Sequence, residues 1–302
     1  MSSNGGGIKY IEHQDIDYKK WDLCIESAGN SRVYAMSWHL DRTAEVWDAL
    51  VWGDYDVVMP LPHRKKWGIK YLYQPFYSQQ LGIFPNPAPE IAAQFYKNAS
   101  SYFRYLNIQT NSSNPPPQNL MVSTRKNHLL PLNIGYKSLA GAYSKNTRRN
   151  IAKANRNHLN FVEGTRLEEF LAFKEKNLAG NTSKSVIKKL KSIIAYSQYK
   201  GIGEITGIYS PSNELCAAVY FCRWKERLIY LNAVSSSEGK KLRAMFYLLD
   251  QLLQTSAGKN LVIDFEGSVI PGIARFFEGF GATPETYYQL FQNKLPFPLN
   301  KF

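Results

Sequence analysis

The chain has 302 residues, of which 44% are hydrophobic and 14% aromatic, so it can bury a substantial core and a disordered chain is excluded. No apolar run approaches the roughly 18 residues of a membrane helix, and the start, MSSNGGGIKY, is typical of a flexible tail over residues 1–7 and not of a signal peptide. The three cysteines form no CxxC pair and the five histidines show no ligand spacing. We therefore expect reduced thiols in a cytoplasmic protein without a metal site.

The net charge of +13 is unevenly distributed along the chain. Residues 140–200 hold 13 basic and 4 acidic side chains, a net charge of +9, whereas residues 1–139 carry +3 and residues 201–302 carry +1. A block of this kind attracts partners that bear phosphate, whether a nucleotide cofactor, RNA or anionic lipid.

The first half alternates strand patterns with one long helix. Residues 8–60 predict a strand, a helix and a second strand. The run 55–62 continues as a strand that ends at its prolines, since proline cannot donate to a ladder. Further strands are predicted over 69–73, 105–109 and 120–132, and an amphipathic helix over 90–102. The run 74–84, which contains Gln79 and Gln80, is rich in aromatics and amides. It lines a substrate pocket in one interpretation and belongs to an ordinary core in the other.

The second half begins with the basic block. Lys145, Arg149, Lys153 and Arg156 lie four, four and three apart within the predicted helix 143–156, so they form one cationic stripe, which either binds a polyanion or is a solvated face. Helices are predicted over 167–178 and 183–199, strands over 204–210, 215–224 and 227–234, and a helix over 239–253.

The stretch 261–282 predicts a strand, a turn and a helix. Asp264 and Glu266 share one strand face at its carboxyl end, where ligands bind in α/β sheets. Gly267 allows the turn, Ser268 is the predicted N-cap, and an apolar stripe at helical spacing follows from Ile270 to Phe277. The alternative is that both carboxylates only cap or salt-bridge neighbouring elements.

The elements predicted from residue 204 to residue 282 are three antiparallel strands, a helix, a strand and a helix. This is the order of elements in the GNAT acyltransferase superfamily. The segments 143–151 (YSKNTRRNI) and 264–267 (DFEG), followed by 276–281 (FFEGFG), resemble Fem-type proteins and the acetyltransferase-like proteins of polysaccharide biosynthesis. The resemblance implies an α/β (α+β) fold of two GNAT-like domains in tandem, over residues 8–137 and 138–302. Each domain is then a mixed, largely antiparallel sheet flanked by helices.

The carrier turn of the superfamily, Arg/Gln-x-x-Gly-x-Gly/Ala, corresponds to residues 235–241, where only Gly239 fits. Ser235 and Glu238 instead have the spacing of a capping box. Glu238 would repel phosphate, whereas Lys240 and Lys241 would attract it. Acyl-CoA and, as in the Fem group, aminoacyl-tRNA therefore both remain open as donors.

The resemblance implies an N-acyltransferase that moves an acyl or aminoacyl group to a small-molecule or peptide amine. The alternative is a non-catalytic module that binds RNA or an anionic glycan through its basic helix. Direct attack by an amine needs a base, oxyanion donors and an anion site for the carrier. The candidate residues are Asp264 and Glu266 as the base; Ser235, Ser236, Ser237, Gly239, Lys240 and Lys241 for the carrier; Tyr230, Asn232, Tyr287, Tyr288, Gln79 and Gln80 for the substrate; and Lys145, Arg148, Arg149 and Lys153 for a polyanion such as tRNA.

Overall fold

A computed structural model describes residues 7–117, 120–177, 183–266 and 270–298. The chain divides into two compact units, a first unit of residues 1–125 with 286–302 and a second unit of residues 126–285. The expected domains at 8–137 and 138–302 stay a prediction. The predicted turn at Gly267, the predicted cap at Ser268 and residues 1–6 of the predicted tail lie outside the described residues.

The strands and helices follow one another in the order that the sequence patterns indicate for most of the chain. In chain order they are β1 (Lys9–Ile11), α1 (Tyr18–Ser27), α2 (Ser37–Thr43), β2 (Val46–Trp52), β3 (Val57–Lys66), β4 (Ile69–Tyr73), α3 (Pro89–Tyr102), β5 (Tyr105–Thr110), β6 (Met121–Pro131), α4 (Tyr136–Gly141), α5 (Lys145–Asn155), β7 (Asn160–Glu163), α6 (Leu167–Asn177), α7 (Lys184–Tyr199), β8 (Gly203–Tyr209), β9 (Leu215–Trp224), β10 (Arg227–Ser235), α8 (Ser237–Leu242), α9 (Ala244–Ser256), β11 (Val262–Asp264), α10 (Pro271–Glu278) and β12 (Thr283–Asn293).

The two units repeat one strand pattern. The first has the order β1-β2-β3-β4-β5-β12, in which only β4 and β5 are parallel. The second has the order β7-β8-β9-β10-β11-β6, in which only β10 and β11 are parallel. A helical crossover joins each parallel pair, as such a pair requires: α3 in the first unit and α8 with α9 in the second. Each unit is thus a mixed, largely antiparallel sheet flanked by helices, which confirms the predicted fold class.

The sixth strand of each sheet comes from a distant part of the chain. β6 follows β5 in sequence but pairs with β11, through Leu129–Pro131. β12 follows α10 in sequence but pairs with β5, through Tyr288–Asn293. Sequence patterns did not predict β12, because nothing local indicates that its polar and aromatic residues meet a partner strand so far away.

Each unit buries its own core. In the first, Phe95 on α3 packs with Leu72, Leu106 and Leu290 from strands β4, β5 and β12. In the second, the inner face of α9 packs against β9 and β11 through Leu248, Leu249, Leu252 and Leu253. A buried carboxylate on the same helix, Asp250, accepts hydrogen bonds from the hydroxyls of Tyr136 (2.8 Å) and Tyr143 (3.0 Å), which joins α9 to the entry of α5.

The prediction that prolines end the strand before residue 63 is wrong, since β3 runs on to Lys66. The N–H of Val58 donates to Phe84 O on the side away from β2, so two-residue periodicity turns the nitrogens of Pro60 and Pro62 to that same side. Pairing with β4 begins only at His63. The ladder with β2 therefore loses no donor at either proline.

Two helix predictions also need correction. The predicted helix 239–253 is two helices, α8 and α9, separated by Arg243 in the left-handed conformation (φ +63°). In α10 only Phe277 of the predicted inner stripe is buried, while Ile270 and Ile273 are 57% and 39% exposed. Within the described part of the chain, no helix combines the length and apolar character needed to cross a bilayer.

Candidate functional site

The site begins where β11 leaves the sheet of the second unit. β11 pairs with β10 over three residues only, Arg227–Ile229 with Val262–Asp264, and β10 continues without it to Ser235. A bulge at Leu231 shifts the register of β10 against β9 between Tyr230 and Asn232. The short pairing leaves the second half of β10 next to the carboxyl end of β11.

Asp264, at that carboxyl end, is an anchored charge. Its side chain is 2% exposed; Oδ1 accepts from Asn127 Nδ2 (2.7 Å) and from the backbone N–H of Glu266 (3.2 Å), and Oδ2 accepts from Arg227 Nη1 (2.6 Å). The Arg227 guanidinium also reaches Glu285 Oε1 at 3.4 Å. A carboxylate held by three donors fixes the end of β11, so these contacts favour a positioning role for Asp264.

Glu266 has a different environment two residues later. Its backbone is left-handed (φ +50°), so the chain turns away from the strand at this residue, and its side chain is partly buried. Burial raises the pKa of the Glu266 carboxyl to about 8. A carboxyl that titrates near neutral pH has the proton affinity that a general base or acid needs.

The bulge separates two of the predicted substrate residues, Tyr230 and Asn232. Tyr230 pairs with Phe221 and packs among Phe221, Phe265 and Phe277, with ring centroids 5.6, 5.8 and 5.6 Å away, on the face covered by α9. Asn232 pairs instead with Tyr220, whose hydroxyl lies 2.7 Å from Ser197 Oγ on α7. Because directly paired residues share a face, Tyr230 and Asn232 lie on opposite faces of the sheet.

Of Tyr230 and Asn232, only Asn232 has a buried polar atom without a hydrogen-bond partner among the described residues. Its Oδ1 is buried and has no hydrogen-bond partner among the described residues, whereas the Tyr230 hydroxyl donates to Met245 Sδ at 3.2 Å. A buried, unpaired carbonyl oxygen is costly and is commonly satisfied by a ligand or a water. The structure therefore favours Asn232 over Tyr230 as a residue that a ligand could contact.

The predicted carrier turn contains an N-cap, displaced by one residue from the expected capping box. Ser236, and not Ser235, caps α8 by accepting from Gly239 N (2.9 Å), and its own N–H donates to Cys216 O (3.0 Å). A Cβ on Gly239 would lie 1.9 Å from Cys216 O, so glycine is needed here for the approach of α8 to β9. Glu238 pairs with Lys241 at 3.5 Å across one exposed turn. Ser235, Ser237 and Lys240 complete this turn, and phosphate binding by it stays a prediction.

The predicted polyanion stripe lies on the exposed side of α5, whose opposite side buries Thr147, Ile151 and Ala154. Arg148 folds back, with Nε and Nη2 donating to Tyr143 O at 2.9 and 2.6 Å, so it closes the start of the helix. Arg149 donates to Asn146 Oδ1 at 3.1 Å, and Lys145 and Lys153 extend from exposed positions. Lys145, Arg149 and Lys153 thus remain the candidates for a polyanion.

The other predicted substrate residues belong to the first unit. Gln80 Nε2 donates to Gln79 Oε1 (2.8 Å), while Gln79 Nε2 and Gln80 Oε1 are buried without a partner among the described residues. His39, which sequence patterns did not indicate, shares this property: burial lowers its pKa to about 4, Nε2 contacts Tyr77 O at 2.8 Å, and Nδ1 is unpaired there. Tyr287 and Tyr288 are consecutive on β12 and therefore point to opposite faces.

No family model matches the chain, and no curated protein matches it. Its fold nevertheless matches solved structures over nearly its whole length. FemX is 11% identical with a TM-score of 0.63, over 97% of this chain and 99% of FemX. L-PGS from Bacillus licheniformis is 13% identical with a TM-score of 0.57, over 98% of this chain and 96% of that one. The C-terminal domain of a putative lysylphosphatidylglycerol synthetase from Agrobacterium fabrum is 10% identical with a TM-score of 0.57, over 92% of each chain.

These similarities define the class of fold. The chain has a Fem-like, GNAT-type fold, which confirms the resemblance seen in the sequence. At these identities the likeness concerns the fold alone.

Proposed function

We propose that the chain is an N-acyltransferase that moves an acyl or aminoacyl group from an activated carrier to a substrate amine. One observation carries the proposal: a partly buried carboxyl, Glu266, has a pKa raised to about 8 and follows directly on the anchored end of β11. An amine that attacks a carbonyl must lose a proton, and a base with a pKa near the working pH takes it most effectively.

In the proposed mechanism Glu266 accepts the proton of the attacking amine, and Asp264 acts as a positioning residue. The hydrogen bond from Glu266 N to Asp264 Oδ1, together with the Arg227–Asp264 ion pair, fixes the backbone from which Glu266 extends. β10 lacks its β11 partner beyond Ile229, so outward N–H groups of this strand are suitable donors to the developing oxyanion. Asn232 Oδ1 is suited to accept from the incoming ammonium or from the carrier.

The carrier is acyl-CoA or aminoacyl-tRNA. We assign its phosphates to the turn at 235–241, where Lys240 is exposed and Lys241 would have to exchange Glu238 for a phosphate. One of the similar structures is named as the C-terminal domain of a putative lysylphosphatidylglycerol synthetase, a name that joins a lysyl group to a lipid. That name, with the basic helix α5, supports an aminoacyl donor for this chain.

The test compares the two donors and one variant. Wild-type protein is incubated with acetyl-CoA or with bulk aminoacyl-tRNA and a panel of amines, and label transferred to amine is measured. Glu266→Gln should stay folded and lose transfer by on the order of 10²–10⁴, the usual contribution of general base catalysis. Glu175→Gln, an exposed glutamate on α6, is the matched control and should keep full activity. Normal turnover by Glu266→Gln contradicts the assignment of the base.

A second candidate, a non-catalytic module that binds RNA or an anionic glycan, is favoured by the exposed cations of α5 and by the departure of the carrier turn from the GNAT pattern. It predicts salt-dependent tRNA or glycan binding with no transfer from either donor. Any turnover that Glu266→Gln abolishes decides against it.

A further inference from the structure

A cavity of about 630 Å³ lies in the second unit, between the sheet face that α9 covers and the last turn of α9. Its floor is apolar, formed by Phe221, Leu228, Leu252 and Leu261. Leu228 is near the start of β10, so the turn that follows Ser235 lies roughly 23 Å further along the strand at the usual rise. The cavity is therefore separate from the proposed carrier site, and its volume is that of a small-molecule site.

Two hydroxyls line this cavity without a partner. Thr206 and Ser256 are 2% and 6% exposed, and within the described part of the chain no hydrogen bond joins either hydroxyl to another residue. Hydroxyl groups at the wall of a cavity normally have a hydrogen-bond partner in protein, water or ligand. Both hydroxyls border this cavity, where a ligand could supply that partner.

Charges of both signs surround the opening. Glu163 is directly opposite Thr206 in the β7–β8 register, and Glu204 lies two residues before Thr206, so both carboxylates are on one face and diagonal to each other. Burial and the nearby Glu163 raise the pKa of Glu204, and Lys259 lowers it, so all three charges lie within electrostatic range.

Arg223 and Lys259 supply the positive side of the opening. None of the four charged residues forms an ion pair with another described residue, although both signs lie at the same cavity. A simple cation site would not include the two basic residues, and a phosphate site would not include two unpaired carboxylates. The charge pattern instead suits a ligand that carries one charge of each sign.

We propose that this cavity binds a free α-amino acid with an apolar side chain. Its ammonium group lies between Glu163 and Glu204, its carboxylate faces Lys259 and Arg223, and its side chain covers the apolar floor. Thr206 and Ser256 complete the hydrogen bonds of the two charged groups. The assignment is independent of the transfer reaction, because it uses none of the residues assigned to that reaction.

The experiment is calorimetric titration of the full chain with L-leucine, without donor or acceptor. Saturable binding of one leucine per chain is expected, with at least tenfold weaker binding of N-acetyl-L-leucine, which lacks the ammonium, and of L-leucinamide, which lacks the carboxylate. Tenfold corresponds to about 1.4 kcal/mol. Glu204→Gln and the isosteric Thr206→Val should each weaken L-leucine binding by a similar factor, and Glu175→Gln should not.

Three results would overturn the proposal. One is the absence of saturable heat with L-leucine. Another is an affinity that Glu204→Gln and Thr206→Val leave unchanged while both variants melt as the wild type does. The third is L-leucinamide binding as tightly as L-leucine, which would make the cavity a plain ammonium site.

Discussion

Replacing Glu266 with glutamine should change how the stability of the protein depends on pH. Burial raises the pKa of this carboxyl from 4.5 to about 8, so the folded chain holds a proton that the unfolded chain releases between those two values. Because the folded state binds more protons in that range, the free energy of unfolding falls as the pH rises through it. The raised pKa of an acid is thus a cost of folding at neutral and alkaline pH.

The magnitude follows from the size of the shift. Each pKa unit corresponds to roughly 1.4 kcal/mol, so a shift from 4.5 to about 8 removes at most about 5 kcal/mol of stability once the pH exceeds 8. Glutamine has nearly the same shape and cannot ionise. The difference in unfolding free energy between Glu266→Gln and wild type should therefore be small near pH 4.5 and grow in favour of the variant as the pH approaches 8.

Urea unfolding of both proteins at a series of pH values between about 5 and 8 measures this difference. Glu175→Gln removes one exposed carboxyl from α6 and serves as the control, with a curve parallel to that of the wild type. If the curves of Glu266→Gln and wild type also stay parallel, Glu266 is ionised in the folded protein at neutral pH. The argument that it is a base poised near neutral pH would then be wrong.

Three further predictions concern the contacts around the site. Arg227→Met should lower the free energy of unfolding by about 3–5 kcal/mol in urea, because it leaves Asp264 buried without its cation; an unchanged midpoint would show that the pair does not anchor β11. Gly239→Ala should cost about 1–3 kcal/mol, because its Cβ would meet Cys216 O at 1.9 Å, whereas Gly141→Ala, with open space at its Cβ, should not lower the melting temperature. Replacing Arg149 and Lys153 with Glu should weaken retention on heparin or tRNA and reduce the log–log salt slope by about 0.7–0.9 for each phosphate that the variant no longer binds; an unchanged slope leaves α5 a solvated face.

Much of the element order was predictable because local patterns carry it. The strands β8, β9 and β10 and the helices α3 and α7 lie within one or two residues of their predicted positions, since alternation and helical spacing are properties of neighbouring residues. β12 was missed because its partner, β5, lies more than 170 residues away in the sequence. The prolines of β3 were misjudged because their tolerance depends on which side of the strand is unpaired.

The candidate site was likewise predictable only where local sequence determines it. Asp264 and Glu266 were predictable as a pair at a strand end, but the contacts that separate their environments were not. Asn127 and Arg227, which hold Asp264, lie 137 and 37 residues away from it. The bulge at Leu231 could not be predicted from the pattern of polar and apolar residues in β10. Tyr230 and Asn232 were therefore assigned to one pocket although they lie on opposite faces of the sheet.

The exchange of sixth strands makes the division of the chain at residue 137 testable. A fragment of residues 8–137 keeps β1 to β5 and the helices between them but lacks β12. It therefore loses six paired positions on β5, the fully buried Leu290, and the hydrogen bonds from Gln292 Nε2 to Ser100 O (3.1 Å) and Phe103 O (2.9 Å). Burial of one leucine side chain alone contributes about 1.5–3 kcal/mol, against a typical total of about 5–15 kcal/mol for a domain.

We therefore expect fragment 8–137 to remain unfolded or to aggregate through the exposed edge of β5, since an unpaired strand edge is a template for association. Adding residues 283–298 to the same fragment as a separate peptide should restore a cooperative melting transition, because the peptide supplies β12. A matched peptide with Leu290→Asp should not restore it, because the carboxylate would enter the apolar core of the first unit. Cooperative unfolding of fragment 8–137 by itself would instead support an independent domain that ends at residue 137, with β12 an addition to a sheet already stable without it.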